Sequence, residues 1–196
     1  MSSSEFTIGM TSAATERFDT LERARRGDEA AFEELMRMHE RQVLRTSLRL
    51  LGRVEDAQDA AQETFLRLYR NLGVFGSAEE IRPWLYRVTV NACHDLNRRR
   101  GRLVADDREF DLAVADNDEA RIDDAERREL LAEALTYLPE KERAAVVLRE
   151  IEGLETHEVA SILGSTPATV RTQVSTGRAR LRNIVARLQR RKHGLR

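Results

Sequence analysis

Apolar residues recur at alternating spacings of four and three between positions 170 and 188, which predicts a long amphipathic helix. A shorter apolar pattern precedes it and stops at Gly164, a residue that tolerates positive φ at a helix end. Thr166 is placed to cap the long helix, and Pro167 suits its first position, where a missing N–H is no loss. The two segments predict a helix-turn-helix. The stripe of the long helix comprises Val170, Val174, Gly177, Leu181, Ile184 and Leu188.

Three further helical patterns lie upstream. Asp28 is placed to cap the first of them and Gly52 to end it. A second helix is expected from about Val54 to Leu72, and a third from about Ala78 to Arg99. Pro83 belongs near the start of the third, because a proline deep inside a helix removes a hydrogen bond. The sequence lacks the strict alternation and the β-branched runs that are typical of strands.

Residues 101–122 have weak periodicity and a run of aspartates, which favours an acidic flexible linker. Helical periodicity returns beyond it, with a break at Pro139. The predicted fold class is therefore all-α, with two small helical domains, 19–100 and 123–192, the second ending in the helix-turn-helix. Residues 1–18 are rich in Ser and Thr and lack the apolar core of a signal peptide, so we expect a disordered tail.

The formal net charge of −1 hides a strong segregation of charge along the chain. From position 159 onward the sequence contains nine Arg and Lys residues and no Asp or Glu. Residues 105–133 contain twelve acidic residues against four arginines, whereas residues 81–104 contain six arginines against Asp95 alone. Two basic patches separated by an acidic stretch predict two contacts with a polyanion.

The chemistry of the chain argues against an enzyme. Cys93 is the only cysteine, which excludes an intramolecular disulfide and fits a reducing cytoplasm. The four histidines are scattered without a second ligand at metal spacing, and no NTPase-type glycine loop is present, so we expect neither a metal nor a cofactor. No apolar run approaches the roughly 20 residues needed to span a bilayer. Cys93 and Trp84, at helical spacing with apolar residues, are interpreted as core.

Several motifs follow one another between about Leu21 and Leu188. Residues 56–65 read Asp-Ala-Gln-Asp-Ala-Ala-Gln-Glu-Thr-Phe, residues 83–88 read Pro-Trp-Leu-Tyr-Arg-Val, and Leu138-Pro139 precedes the helix-turn-helix, which contains Arg178-Ala-Arg180. In this order and spacing, they resemble bacterial RNA polymerase sigma factors of the extracytoplasmic-function type. These are minimal sigma-70 factors that keep only regions two and four.

The resemblance implies that core RNA polymerase is a partner. The acidic face of the second helix would meet the clamp helices of the largest polymerase subunit, where carboxylates steer encounter more than they add affinity. Without the motif, an ordinary solvated helix face would be the simpler interpretation. The residues predicted for this contact are Asp56, Asp59, Gln62 and Glu63.

The resemblance also implies two contacts with promoter DNA. The third helix and the glycine-rich loop 73–77 would recognise and melt the minus-ten element, with Asn91 at a base edge and Arg98, Arg99 and Arg100 at phosphates. The start of the long helix would enter the major groove at the minus-thirty-five element. Its predicted base-edge residues are Thr169, Arg171, Thr172 and Ser175, and its predicted backbone contacts are Arg178, Arg180 and Arg182.

The preferred hypothesis is a cytoplasmic sigma factor that directs promoter-specific transcription initiation of a stress or envelope-response regulon. The resemblance further implies an anti-sigma protein as a partner. Isolated protein should bind promoter DNA poorly, because flexibly joined domains need not sit at the spacing of the two elements. Two alternatives remain open. One is a helix-turn-helix regulator that acts without polymerase docking, and the other is a helical adaptor whose basic helix is merely solvated.

Overall fold

The computed structural model describes residues 19–101 and 122–192, here called the N-terminal and C-terminal halves. Within these ranges every regular element is helical, which confirms the all-α prediction. The predicted tail and linker lie outside the described residues, except that Gly101 and Ile122 belong to helices. The helices are α1 (19–25), α2 (Glu29–Leu51), α3 (Val54–Arg70), α4 (Ile81–Gly101), α5 (Ile122–Thr136), α6 (Glu140–Val146), α7 (Thr156–Ile162) and α8 (Pro167–Lys192).

The ends of the helices follow the predicted capping chemistry. The Ala31 N–H donates to Asp28 Oδ1 over 3.1 Å at the start of α2, and Gly52 ends that helix at φ 78°. Thr166 Oγ1 accepts from the Thr169 N–H over 3.2 Å, which satisfies one of the open donors at the start of α8. The predicted caps and helix end are therefore confirmed. They could be predicted because they depend on local backbone geometry alone.

The N-terminal half packs α1 to α4 around a core that includes Leu21, Leu35 and Leu68. The Trp84 ring lies partly buried at the edge of this core and meets the Phe75 ring edge-on, with centroids 5.3 Å apart and planes at 90°. This contact agrees with the interpretation of Trp84 as a packing residue and ties α4 to the loop before it.

A second core joins the two halves, which the sequence did not predict. Tyr86, Val90 and Cys93 lie on α4 at spacings of four and three, and all are buried in one cluster with Leu148 and Val159. Because the opposite face of α4 packs on the N-terminal core, the helix is buried on two sides. Cys93 is buried as predicted, and the two predicted helical regions contact each other through this cluster as well as being joined by the connecting segment.

A short π-helical turn, Val147–Ile151, follows α6 and was also not predicted. In a π turn the hydrogen bonds join residues five apart. Here the Glu152 N–H donates to the Val147 carbonyl oxygen over 2.9 Å. Gly153 then takes φ 73°, a left-handed conformation that glycine adopts without strain. The π turn and this glycine direct the chain from α6 into α7.

Helices α6 and α8 cross at Gly177. A Cβ added there would lie 2.7 Å from Val146 Cγ2 and 3.4 Å from the Glu142 carbonyl oxygen. A contact of 2.7 Å requires the Val146 side chain or one of the two helices to shift, so glycine fits this crossing distance without strain. The glycine in the predicted apolar stripe is therefore a packing residue.

We expect Gly177→Ala to lower the free energy of unfolding, measured by urea denaturation of the full chain. Overpacking costs about 1–3 kcal/mol, which exceeds the gain in helix propensity of about 1 kcal/mol from replacing glycine by alanine. Gly73→Ala is the matched control, since a Cβ there meets nothing within 4 Å. Equal midpoints for Gly177→Ala and the unmodified chain would contradict the assigned role.

Candidate nucleic-acid interface

The first two turns of α8 present a polar, positively charged edge to solvent. Thr169, Arg171, Thr172 and Ser175 are all exposed, whereas Val170 and Val174 on the same helix are buried. The Thr172 hydroxyl donates to the Ala168 carbonyl over 3.2 Å. A threonine that donates in such a bond keeps its methyl group and both oxygen lone pairs available to a ligand. The predicted base-edge residues therefore lie together on one accessible surface.

A groove of about 280 Å³ runs beside this edge. Arg149, from the π turn, contributes to its wall together with Arg171, Arg178 and Arg182 of α8. Arg149 is not among the predicted DNA-contacting residues, because the position of a side chain in a π turn does not follow α-helical periodicity. Four guanidinium groups around one groove create a site for a polyanion backbone.

Carboxylates already hold two of the predicted backbone-contacting arginines. Arg178 Nη1 lies 3.8 Å from Glu150 Oε2, and Arg180 Nε lies 3.3 Å from Glu142 Oε2. Arg180 thereby braces α8 against α6. Among the described residues, neither Arg171 nor Arg182 forms an ion pair, so both can meet phosphate without breaking one.

The predicted minus-ten residues lie along the exposed side of α4. Asn91 is exposed, and so are Arg98 and Arg99, whereas the side chain of Arg100 lies outside the described residues. Arg98 Nη2 donates to Asp95 Oδ1 over 2.8 Å. A phosphate contact by Arg98 therefore requires this surface ion pair to open, at a small cost.

The loop before α4 is held in place against the start of that helix. The Gly76 N–H donates to Glu80 Oε2 over 2.7 Å, and Phe75 is buried against Trp84. Val74 projects into solvent. An ordered loop with an exposed apolar tip beside Asn91's helix is the kind of surface on which an unstacked base can rest.

The acidic face of α3 is smaller than the sequence suggested. Asp59 and Gln62 are exposed, and Glu63 is partly buried and accepts from Arg67 Nε over 2.7 Å. Asp56, in contrast, is only 6% exposed, so its predicted place on the outer face is wrong. It lies in the first turn of α3, where the helix dipole favours an anion and lowers the cost of burial.

Exposed apolar residues flank the acidic face. Leu66 is 45% exposed and Tyr69 is 55% exposed, and the Tyr69 ring meets Phe32 edge-on with centroids 5.0 Å apart. Neither residue belongs to the predicted docking set, although Leu66 lies four residues after Gln62 and so continues the same helix face. Aromatic and apolar residues beside carboxylates are typical of protein–protein interfaces.

The described part of the chain contains neither a membrane-spanning helix nor a cluster of metal ligands. No helix within residues 19–101 and 122–192 is long and apolar enough to cross a membrane. Nor do these residues bring together three His, Cys, Asp or Glu side chains in a group that could hold a metal ion.

Comparisons with known proteins agree with the geometry. Residues 35–103 match the family Sigma-70 region 2, and residues 128–181 match Sigma-70, region 4. The chain is 39% identical to the ECF RNA polymerase sigma factor SigE of Mycolicibacterium smegmatis over 170 residues, which cover 82% of this chain and 65% of that relative. It is 36% identical to the ECF RNA polymerase sigma factor SigM of Mycobacterium tuberculosis, covering 83% and 81% of the two chains.

Solved structures give the same fold. The sigma factor RpoE of Bartonella quintana, in complex with the anti-sigma factor NepR, superposes with a TM-score of 0.67 at 20% identity, covering 79% of this chain and 96% of that one. CnrH, in complex with the cytosolic domain of CnrY, gives a TM-score of 0.62 at 23% identity, covering 87% and 97%. The chain therefore belongs to the sigma-70 family, among the extracytoplasmic-function sigma factors.

Proposed function

We propose that this protein binds core RNA polymerase in the cytoplasm and gives it specificity for one class of promoters. The observation that carries the proposal is the separation of three exposed surfaces onto three helices, the acidic face of α3, the outer side of α4 and the polar edge of α8. A regulator that binds operator DNA alone has no use for the first of these. A merely solvated basic helix would not need the exposed Thr and Ser residues beside its arginines.

The polar edge of α8 reads the minus-thirty-five element. Arg171 is its main base-specific residue, because a guanidinium can bond guanine O6 and N7 together. Thr169, Thr172 and Ser175 add adaptable hydrogen bonds and methyl contacts on the same edge. Arg149 and Arg182 contact phosphates from the two sides of the groove.

The outer side of α4 serves the minus-ten element. Asn91 bonds the edge of an unpaired base, and Arg98 to Arg100 hold the adjacent backbone. Opening the duplex costs a few kcal/mol per extruded base. Stacking on the exposed tip of the loop before α4 would offset part of that cost.

The α3 surface docks on the polymerase. Asp59 and Gln62 supply charge and hydrogen-bond complementarity, while Leu66 and Tyr69 supply the apolar area that fixes affinity. Asp56 does not belong to this docking surface, because it is buried.

An inhibitory protein partner is a further part of the proposal. The sigma factor RpoE, which has the same fold, was solved with the anti-sigma factor NepR, and CnrH was solved with the cytosolic domain of CnrY. Exposed apolar residues outside the α3 surface, such as Tyr137, give a partner of this kind a place to bind.

Run-off transcription tests the proposal directly. Core polymerase alone should give no defined transcripts from a library of genomic promoter fragments, and addition of this protein should produce discrete start sites. If no fragment is initiated, the chain is not a functional sigma subunit. Strong sequence-specific binding by the chain alone, without any polymerase-dependent transcript, would favour the operator-binding alternative.

Arg171→Ala should reduce discrimination at the minus-thirty-five element by roughly 1–3 kcal/mol, the value of one bidentate arginine–guanine pair. The measurement compares run-off rates on a cognate promoter and on one with a substituted minus-thirty-five element. The matched control is Arg187→Ala, which removes an exposed arginine further along α8. A loss that is equal on both promoters would assign Arg171 to the phosphate backbone instead.

Asp59→Lys should slow association with core polymerase and make the association rate rise with ionic strength, since electrostatic steering turns into repulsion. Glu129→Lys reverses the charge of an exposed residue on α5 and serves as the control. Surface plasmon resonance at two salt concentrations gives the rates. Identical association rates for Asp59→Lys and the control would remove Asp59 from the docking surface.

A further inference from the structure

The Glu152 carboxylate is the central polar group between the two halves of the chain. Its Oε1 accepts from Arg49 Nη1 over 2.6 Å and from Thr46 Oγ1 over 3.1 Å, and its Oε2 accepts from the Tyr86 hydroxyl over 3.0 Å. The side chain is only 11% exposed. All three donors belong to α2 and α4 of the N-terminal half, whereas Glu152 belongs to the C-terminal half.

The backbone fixes the direction of this carboxylate. Glu152 follows the π turn, and its own N–H is bonded to Val147, so the residue is held before the chain reverses at Gly153. Tyr86 is buried, and burial raises the pKa of its hydroxyl, with Glu152 adding to the rise. The phenol is therefore protonated and able to donate.

Three further polar contacts join the two halves. Arg143 Nη1 donates to the Leu50 carbonyl over 2.5 Å, and Asn97 Nδ2 donates to Glu140 Oε1 over 3.2 Å. On the other side, Arg87 Nη2 lies 3.0 Å from Ser161 Oγ, which joins α4 directly to the first helix of the helix-turn-helix. Polar contacts thus enclose the apolar cluster of Tyr86, Val90 and Cys93.

This packing holds the two DNA-reading helices too close together for a promoter. The minus-ten and minus-thirty-five elements are about 25 base pairs apart, which is about 85 Å along duplex DNA. Helix α4 has 21 residues and α8 has 26, so at about 1.5 Å per residue they are about 32 and 39 Å long. With α4 in contact with the helix-turn-helix, no arrangement of the two reaches both elements.

The chain has the length to separate them. Residues 102–121 connect the two halves, and twenty residues extend to at most about 70 Å. Together with the lengths of α4 and α8, this reach spans the distance between the elements. Separation of the halves is therefore what promoter binding requires.

We propose that Glu152 is the latch of a closed, autoinhibited conformation, which opens when core polymerase binds the two halves separately. The role of polymerase in opening the chain rests on the proposed function. The contacts of Glu152 that keep the halves together are a property of the free chain. Polymerase opens it because it binds the open form more tightly than the closed form. The residual DNA binding of the free chain is then limited by the fraction of open molecules.

Cys93 is a built-in reporter of the latch. It is fully buried in the shared core, and burial raises its pKa from 9.0 to about 12, with Glu140 of the other half adding to the rise. Thiol reagents attack the thiolate, so a buried, protonated cysteine reacts slowly. When the halves separate, exposure increases and the pKa falls towards its ordinary value, and both changes accelerate the reaction.

The test measures the rate at which Cys93 reacts with a disulfide reagent in the full free chain near neutral pH. Glu152→Ala should raise this rate about tenfold or more through exposure and thiolate formation, and should enlarge the radius of gyration in small-angle scattering. Glu129→Ala, at an exposed position on α5, should leave both unchanged. Circular dichroism must show the same helix content in all variants.

Tyr86→Phe keeps the latch test informative if Glu152→Ala fails to fold. It removes one hydroxyl donor and keeps the ring in the core, so we expect a smaller rise in the Cys93 rate with normal stability. Unchanged Cys93 protection in every folded variant, Tyr86→Phe or Glu152→Ala, would overturn the latch.

A functional arm separates this proposal from the previous one. Arg87→Cys combined with Ser161→Cys allows a reducible bifunctional reagent to join α4 to α7 across the closed interface. The cross-linked chain should lose run-off transcription with core polymerase and regain it on reduction. Full activity while cross-linked would refute autoinhibition and leave the sigma function intact, whereas an unmodified chain that never supports initiation would refute the function itself.

Discussion

The burial of α4 on two sides is the constraint on which the rest of the structure depends. One side of the helix, through Leu85, completes the N-terminal core, and the other, through Tyr86, Val90 and Cys93, completes the core shared with the C-terminal half. The exposed side of the helix, which includes Asn91, Arg98 and Arg99, is left for a ligand. Because apolar area on both sides is removed from water, the predicted DNA-melting helix is also the helix that holds the halves together.

Polar contacts decide how that arrangement can change. An apolar interface of this kind tolerates small shifts, but a buried carboxylate with three donors has one geometry in which it is satisfied. Glu152 therefore makes the transition between the closed and open conformations cooperative, because all three of its hydrogen bonds are lost together when the halves separate. In water each of these groups finds new partners, which keeps the two states close enough in free energy for a binding partner to shift the population.

The same logic explains why charged residues on this protein differ in availability. Arg180 faces a carboxylate of α6, and Arg178 lines the groove but is paired with Glu150 of the π turn, whereas Arg171 and Arg182 line the groove without an ion pair among the described residues. Arginines on the same helix thus have different roles. Arg180 braces the helix-turn-helix, whereas Arg171 and Arg182 are available to a polyanion. Charge counts along the sequence cannot separate these tasks, because they depend on what the adjacent element presents.

The sequence alone determined the features that depend on neighbouring residues in the chain. The caps at Asp28 and Thr166, the helix end at Gly52 and the apolar stripe of α8 follow from local backbone chemistry and periodicity, and so does the exposure of the Arg171 edge. The tertiary structure alone decided that Asp56 is buried, that Arg149 lines the groove, and that Tyr86 and Cys93 pack on the other half. These outcomes depend on contacts between residues distant in sequence, and on a π turn that breaks helical periodicity, so no local pattern contains them.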